Sequence, residues 1–125
     1  MTERERIIHN YIEGYNAFDL DRMVVDFDDR IVFENMMNGE VNLSLKGLDA
    51  FLHQAELAKT YFSERKQVIR SFHHSANATE AEIDYHAILA MDFPNGLKKG
   101  EKIILKGRSV FEFDGSRIIR LTDIS

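Results

Sequence analysis

Two tyrosines near the start of the chain are spaced so that both hydroxyls could contribute to one binding or catalytic site. Tyr11 and Tyr15 are four positions apart in a segment with helical periodicity, so their side chains share one face of a helix. A phenol can donate and accept a hydrogen bond, which suits it to polarise a carbonyl group. The same spacing is typical of core tyrosines whose hydroxyls reach the surface or a backbone carbonyl. Both interpretations stay open at this point.

Several other kinds of site are excluded by residue type and spacing. The chain has no cysteine, so thiolate nucleophiles, thiolate metal sites and disulfides are impossible. His73 and His74 are adjacent in a strand pattern and leave opposite faces, and no pair of histidines has zinc-site spacing. The acidic segment from Asp19 to Asp29 lacks the glycine and ligand spacing of a calcium loop. We therefore expect neither a metal ion nor another cofactor.

The bulk composition predicts one folded domain over residues 1–125. Hydrophobic residues make up 44% of the chain and charged residues 30%, with a single proline, which excludes a disordered or fibrous class. The net charge of −5 comes without a long basic stretch, so we expect no nucleic-acid partner. The first residues lack an apolar signal segment, and no apolar run approaches the roughly 20 residues that span a bilayer. We expect no membrane partner and a cytoplasmic location.

Helical patterns occupy the first half of the chain. Thr2 and Glu5 form a capping box, and the helix that they open is expected to end near Asn16 to Phe18. Asp19 can cap a second helix with Leu20, Met23, Val24 and Phe27 on its buried face. A third helix follows Gly47, with an apolar face that runs from Leu48 to Phe62.

Strand patterns fill the rest. Residues Arg30 to Met37 and Glu40 to Leu45 predict a hairpin, since Asn38-Gly39 is a strong turn signal between them. Four longer strands follow, and we place them at Lys66–Ser75, Glu80–Phe93, Glu101–Phe113 and Arg117–Ile124. Helices followed by strands predict an α+β fold, with three N-terminal helices packed on a bent antiparallel sheet.

The outer face of that sheet is expected to bury a second copy of the chain. By alternation, one face of the last strands is apolar and should meet the helices. The opposite face is mixed, and Ile88, Ala90, Ile104 and Val110 lie on it among charged residues. Apolar residues on an exposed sheet face usually mark an interface. We expect a homodimer through this face.

Several segments resemble the nuclear transport factor 2-like superfamily, in its SnoaL-like branch. The first is the helix that contains Tyr11-Ile-Glu-Gly-Tyr-Asn16-Ala-Phe-Asp19-Leu-Asp21, followed by Phe27-Asp-Asp29 and a strand. The others are Phe93-Pro-Asn-Gly96 and Ser109-Val-Phe-Glu-Phe113-Asp-Gly115-Ser-Arg-Ile118, which resemble the closing hairpins of such proteins. The resemblance implies a cone-shaped cavity closed by a bent sheet. It implies no single function, since this superfamily contains isomerases, cyclases, hydrolases, dehydratases and non-catalytic binders.

The ketosteroid isomerase branch of the superfamily can be compared position by position. Tyr11 keeps the position of that branch's oxyanion-hole tyrosine. The general-base aspartate falls on Asn35, and the protonated aspartic acid falls on Ser109. Asn35 cannot take up a proton, and Ser109 is a weaker donor than a neutral carboxylic acid. Steroid isomerisation by that mechanism is therefore not expected.

Asp123 is the candidate acid or base that the resemblance supplies. In the epoxide-hydrolase and polyketide-cyclase branches, an acidic residue on the final strand does proton-transfer work, and Asp123 resembles it. By alternation Asp123 shares a face with Ile119 and Leu121. In an apolar cavity the pKa of such a carboxyl would rise toward neutrality. The alternative is a structural aspartate paired with Arg120, Arg117 or water.

These observations lead to one functional expectation with an alternative. We expect a protein that binds a small, largely apolar organic ligand and carries out acid/base chemistry of the isomerase, cyclase or hydratase/hydrolase type. Asp123 would be the acid/base and Tyr11 a donor, with Tyr15, Asn35 and Ser109 binding the ligand. The alternative is a non-catalytic dimeric module that binds a ligand or a protein. The expected pocket walls are Phe33, Met37, Phe51, Phe62, Tyr85, Met91, Phe111 and Leu121.

Overall fold

A computed structural model describes all residues from 1 to 125 and has three α-helices in its first half. The helices are α1 (Glu3–Asn16), α2 (Leu20–Val24) and α3 (Leu48–Ala58), and a 3₁₀ turn follows at Lys59–Tyr61. The capping box is formed as expected, because Thr2 and Glu5 each bond the other's backbone N–H. No helix is both long and apolar enough to cross a membrane.

Six strands complete the chain and form one sheet. They are β1 (Phe27–Met37), β2 (Glu40–Lys46), β3 (Phe62–His74), β4 (Ala78–Leu89), β5 (Lys102–Asp114) and β6 (Arg117–Ile124). Asn38 and Gly39 connect β1 to β2 with φ of 54° and 81°. A two-residue hairpin turn of this hand requires positive φ, and asparagine and glycine tolerate it best.

The strand order is β2-β1-β6-β5-β4-β3, so the last strand lies in the middle of the sheet. The segment from β3 to β6 is an antiparallel meander, as expected. β1 pairs with β6 in parallel, which corrects the expectation of a wholly antiparallel sheet. After β1 the chain passes through β2, α3 and the antiparallel meander, and β6 then lies beside β1 and runs in the same direction. This one parallel pair makes the sheet mixed. The α+β fold class is confirmed.

The helices cover one face of the sheet and enclose the core with it. Ile8, Tyr11 and Ile12 of α1 and Phe51 of α3 are buried there. On the sheet side the core contains Phe27, Ile31, Ala81, Ile83, Phe111, Phe113, Ile118 and Leu121. The alternation in β4 and β5 therefore assigns the inner face correctly.

Several element boundaries and one strand register differ from the sequence prediction, and β4 ends at Leu89 instead of Phe93. Phe27 begins β1 instead of ending α2, and Phe62 begins β3 instead of ending α3. In both cases the apolar spacing of the helix continues by coincidence into the next strand. In β6 the register shifts between Glu112 and Phe113 of the partner strand, so that Ile118, and not Ile119, is buried at its start. A β-bulge of this kind inserts one residue and resets the alternation.

Candidate functional site

Three polar side chains lie next to one another across the centre of the sheet. Asp123 of β6 is paired in register with Asn35 of β1 on one side and with Ser109 of β5 on the other. The Ser109 hydroxyl donates a hydrogen bond of 2.7 Å to Oδ1 of Asp123. The Asn35 amide donates to the side-chain oxygen of Asn42, at 2.8 Å. The parallel β1–β6 pair is therefore what brings Asn35 beside the acid.

The carboxyl group of Asp123 has a pKa near neutrality. Burial removes water from it and raises its pKa from 3.8 to about 6, and the hydrogen bond from Ser109 opposes part of that rise. Asp123 forms no salt bridge, since Arg120 pairs with Glu34 and Glu112 and Arg117 donates to the Val25 carbonyl. The structural alternative, in which an arginine holds this aspartate, does not describe the chain.

A cavity of about 520 Å³ opens between the helices and the first strands, and Asp123 lies in its wall. Most of the lining is apolar and comes from α1, α3, β1, β2 and the loop after β4. Besides Asp123, its polar lining consists of Tyr11, Tyr15, Asn35, Asn42, Gln54, Tyr61 and Arg65. An apolar cavity with few polar groups is the usual form of a small-molecule site.

Tyr11 is almost fully buried and faces this cavity. Its ring stacks on Phe27 and meets the edge of Phe111, each with centroids 5.6 Å apart. Burial raises the pKa of the phenol well above its ordinary value, and the negative charge of Asp123 raises it further. The hydroxyl therefore stays protonated and can donate a hydrogen bond to a ligand oxygen.

Tyr15 connects the cavity to a smaller neighbouring one. Its hydroxyl is 2.8 Å from that of Tyr85, and burial raises the pKa of both phenols. The smaller cavity, about 220 Å³, is lined by both tyrosines together with Asn35, Ser109 and Asp123. Asp123 therefore borders two adjacent spaces. Gly107 also lines the smaller one, where a Cβ would approach the Ile124 carbonyl to 2.6 Å.

The pocket walls are only partly those expected. Phe33 and Phe51 line the larger cavity and Tyr85 the smaller one. Phe111 and Leu121 lie beneath the site as fully buried core, and Phe62 packs on Tyr85 and Phe93 instead of lining either space. Met37 and Met91 are 44% and 42% exposed, since Met37 is the last residue of β1 and Met91 lies beyond the end of β4.

Two buried polar residues of β3 were not anticipated from the sequence. Arg65 and Gln67 are 5% and 8% exposed, and they line the larger and the smaller cavity respectively. Nη2 of Arg65 and Oε1 of Gln67 have no hydrogen-bond partner within the chain. Their alternation with Ile69 on one face of β3 is the only sequence signal that could have indicated their burial. No group of three or more His, Cys, Asp or Glu is arranged to hold a metal ion.

Replacing Ser109 by Ala is expected to raise the pKa of Asp123 above about 6. The substitution removes the hydroxyl donor at 2.7 Å that favours the ionised carboxylate. Titration of the Asp123 carboxyl carbon by NMR measures the change. Ser71→Ala is the matched control, because Ser71 donates at 2.8 Å to the exposed Glu82 on the other side of the sheet. An unchanged or lower pKa in the Ser109 variant would contradict the assignment of this hydrogen bond.

The α+β fold, with three helices packed on a mixed six-stranded sheet, is that of nuclear transport factor 2-like, or cystatin-like, proteins. A family model described as SnoaL-like domain matches residues 8–121. The chain belongs to the SnoaL-like family. No curated protein sequence matches it.

Solved structures support the same fold at low sequence identity. A candidate polyketide cyclase from Xanthomonas campestris has a TM-score of 0.78 and 19% identity, over 98% of this chain and 90% of that one. IdmH of Streptomyces antibioticus, also a candidate polyketide cyclase, has a TM-score of 0.79 and 10% identity, over 98% and 91%. A cystatin-fold protein from Novosphingobium aromaticivorans has a TM-score of 0.75 and 18% identity, over 100% and 99%.

Proposed function

We propose that this chain binds a small, largely apolar organic molecule in the larger cavity and transfers protons to and from it, with Asp123 as the acid/base. The observation that carries the proposal is a carboxyl group in an apolar cavity wall, with its pKa raised to about 6. A pKa close to the working pH gives a useful population of both the acid and the base. Two of the similar structures are described as candidate polyketide cyclases, and cyclisation is one of the reactions that the proposal includes.

The neighbouring groups have defined roles in this proposal. Tyr11 remains protonated and donates to a ligand oxygen, which stabilises negative charge that develops there. Ser109 holds the carboxylate of Asp123, and Asn35 orients the ligand from the adjacent strand. Isomerisation, aldol-type cyclisation and hydration all need such a proton transfer. The reaction uses the chain's own side chains.

Proton exchange at a carbon next to a carbonyl group tests the function. The probe is 2-tetralone, a small apolar ketone, in D₂O, and NMR follows the loss of its α-proton signals. We expect exchange above the buffer rate, rising with pH and half-maximal near pH 6, because Asp123 acts as a base only when it is ionised. Exchange at the buffer rate, combined with a rise in melting temperature on adding the ketone, would support a non-catalytic binder instead.

We further propose that the chain forms a homodimer through the outer face of the sheet. Ile104 is 68% exposed on that face, and Ile88, Ala90 and Val110 are partly exposed around it. Charged side chains of both signs surround them, among them the Arg108–Glu80 and Arg70–Asp84 pairs. Such a mixed surface suits a second copy of the same face, since each sign can meet its opposite across a two-fold axis.

Replacing Ile104 by Glu is expected to convert the dimer into a monomer. The substitution places a charge at the most exposed apolar position of the face. Sedimentation velocity at micromolar concentration should give twice the 14.5 kDa chain mass for the unmodified protein and one chain mass for the variant. Leu57→Glu is the control and should remain dimeric, because Leu57 is 47% exposed but lies on α3 and not on the outer face of the sheet. A monomeric unmodified protein would contradict the proposal.

A further inference from the structure

Arg65 carries a buried positive charge that no carboxylate of the chain neutralises. Its side chain is 5% exposed, and it takes part in none of the salt bridges of the structure. Buried charges are normally paired, since desolvation without compensation is costly. The acidic residue of the larger cavity, Asp123, accepts a hydrogen bond from Ser109 and does not pair with Arg65.

The remaining arginines show how different this environment is. All those with ionic partners lie at the surface: Arg22 with Glu13, Arg30 with Asp28, Arg70 with Asp84, Arg108 with Glu80, and Arg120 with Glu34 and Glu112. Arg4 donates to the carbonyls of Ser75, Ala76 and Ala78. Arg65 combines burial, a place in the cavity wall and the lack of an ionic partner.

The contacts of Arg65 fix its guanidinium and leave the buried nitrogen Nη2 without an acceptor. Nε donates at 2.8 Å to the Tyr15 carbonyl in the last turn of α1, where the helix dipole favours a positive charge. The rings of Tyr15 and Phe18 lie 3.8 and 4.3 Å from its central carbon. These contacts occupy Nε and the faces of the group. Nη2 donates to no atom of the chain.

The cavity is therefore charged at two separate places. Arg65 is permanently cationic, and its planar edge matches the two oxygens of a carboxylate. Asp123 is the ionisable acid of the wall, and a ligand anion placed beside it would be repelled whenever it is ionised. A ligand with one anionic end and an apolar body therefore has one favoured orientation, with its anion at Arg65 and its body along the apolar lining.

We propose that the ligand of the larger cavity is an apolar organic acid whose carboxylate pairs with the guanidinium of Arg65. This inference rests on the proposed function, since it names the substrate class of the same site. It makes Arg65 a specificity-determining residue: it selects anionic ligands and orients their neutral part toward Asp123.

A matched pair of probes tests the charge preference. The probes are 2-naphthoate and 2-naphthamide, which have nearly the same shape and differ in charge, and isothermal titration calorimetry at pH 8 and low salt measures their binding. We expect the carboxylate to bind at least about tenfold more tightly than the amide. Equal affinities, tighter binding of the amide, or no measurable binding of the carboxylate would overturn the proposal.

Substitution of Arg65 assigns the preference to this residue. Arg65→Met keeps the length of the side chain and removes its charge, and we expect it to abolish the preference while amide binding changes less than about threefold. Arg4→Met is the matched control, because Arg4 also stacks on an aromatic ring, that of Phe113, and bonds backbone carbonyls outside the cavity. It should retain the full preference. A preference that survives in Arg65→Met would overturn the proposal and leave Arg65 as a purely structural residue.

Two further measurements keep the result decisive. If Arg65→Met does not fold, a crystal structure of the unmodified protein with 2-naphthoate decides, and a carboxylate bound away from the Arg65 guanidinium refutes the inference. Asp123→Asn should keep the charge preference, since the assay measures binding without turnover. If Asp123→Asn loses turnover but the parent protein shows no charge preference, the proposed function stands and this inference is refuted. If the parent protein shows the charge preference but Asp123→Asn keeps its turnover, this inference stands and the catalytic role of Asp123 is refuted.

Discussion

Replacing Asp123 by Asn is expected to lower proton exchange of 2-tetralone by about 10²- to 10⁴-fold, the usual loss for an acid/base group. Asparagine has the same shape and can still accept the hydrogen bond from Ser109, but it cannot take up a proton. Ligand binding should therefore change little. The matched control is Asp84→Asn, which removes an aspartate that pairs with Arg70 on the outer face and should retain full exchange.

The same variant has an expected effect on stability, with a definite sign. The folded-state pKa of Asp123, about 6, lies above its ordinary 3.8, so the folded chain binds this proton more tightly than the unfolded chain. The stability gained from that proton is complete below pH 4 and is lost as the pH rises through 6. Above pH 6 the ionised carboxylate costs at most about 3 kcal/mol, since each pKa unit corresponds to about 1.4 kcal/mol.

Asp123→Asn removes this cost. Urea unfolding should therefore find the variant at least as stable as the parent at pH 8, with the advantage shrinking toward pH 4. A variant that is destabilised at pH 8 and still exchanges protons normally would end the catalytic assignment.

Replacing Phe111 by Ala is expected to destabilise the fold by about 3–5 kcal/mol, the range for removing a large aromatic side chain from a packed core. Phe111 is fully buried in β5, and its ring supports Tyr11 from below the cavity. Urea unfolding at constant pH measures the change. The effect should extend to the ligand site, because Tyr11 loses one of its two ring contacts.

Phe72→Ala is the comparison for this prediction. Phe72 is only partly buried and packs at the margin of the core, where its ring meets His9. Its removal exposes less surface and leaves a space that solvent can fill, so we expect less than half the loss seen for Phe111. Equal losses in the two variants would show that the core is not organised around β5.

Local signals in the sequence predicted the elements and the inner face well. The Thr2–Glu5 capping box, the Asn38-Gly39 turn and the alternation of β5 each depend on residues within a few positions of one another. The parallel β1–β6 pair has no such signal, because its strands are far apart in the chain and joined by no single turn. The family resemblance identified Asn35, Asp123 and Ser109 as candidate site residues. That they lie side by side on three neighbouring strands became visible only in the structure.

The misplaced residues have equally physical explanations. Alternation predicts which face a side chain occupies but not where a strand ends, so Met37 and Met91 were assigned to the pocket although they are exposed at or beyond the ends of β1 and β4. Arg65 lies in the strongly polar segment Ser63-Glu-Arg-Lys-Gln67, whose composition indicates solvent. Its burial depends on the ring and carbonyl of Tyr15 in α1 and on the ring of Phe18 just after that helix, and no feature of β3 itself reveals them.

The central place of β6 has a consequence for how the chain folds. Arg120 of this strand pairs with Glu34 of β1, and the two residues are 86 positions apart. Contacts between such distant positions require closure of a long loop and slow the folding of the domains that depend on them. The pairing of Asn35 with Asp123 depends on the same loop closure, so we expect the candidate acid to reach its neighbours late in folding.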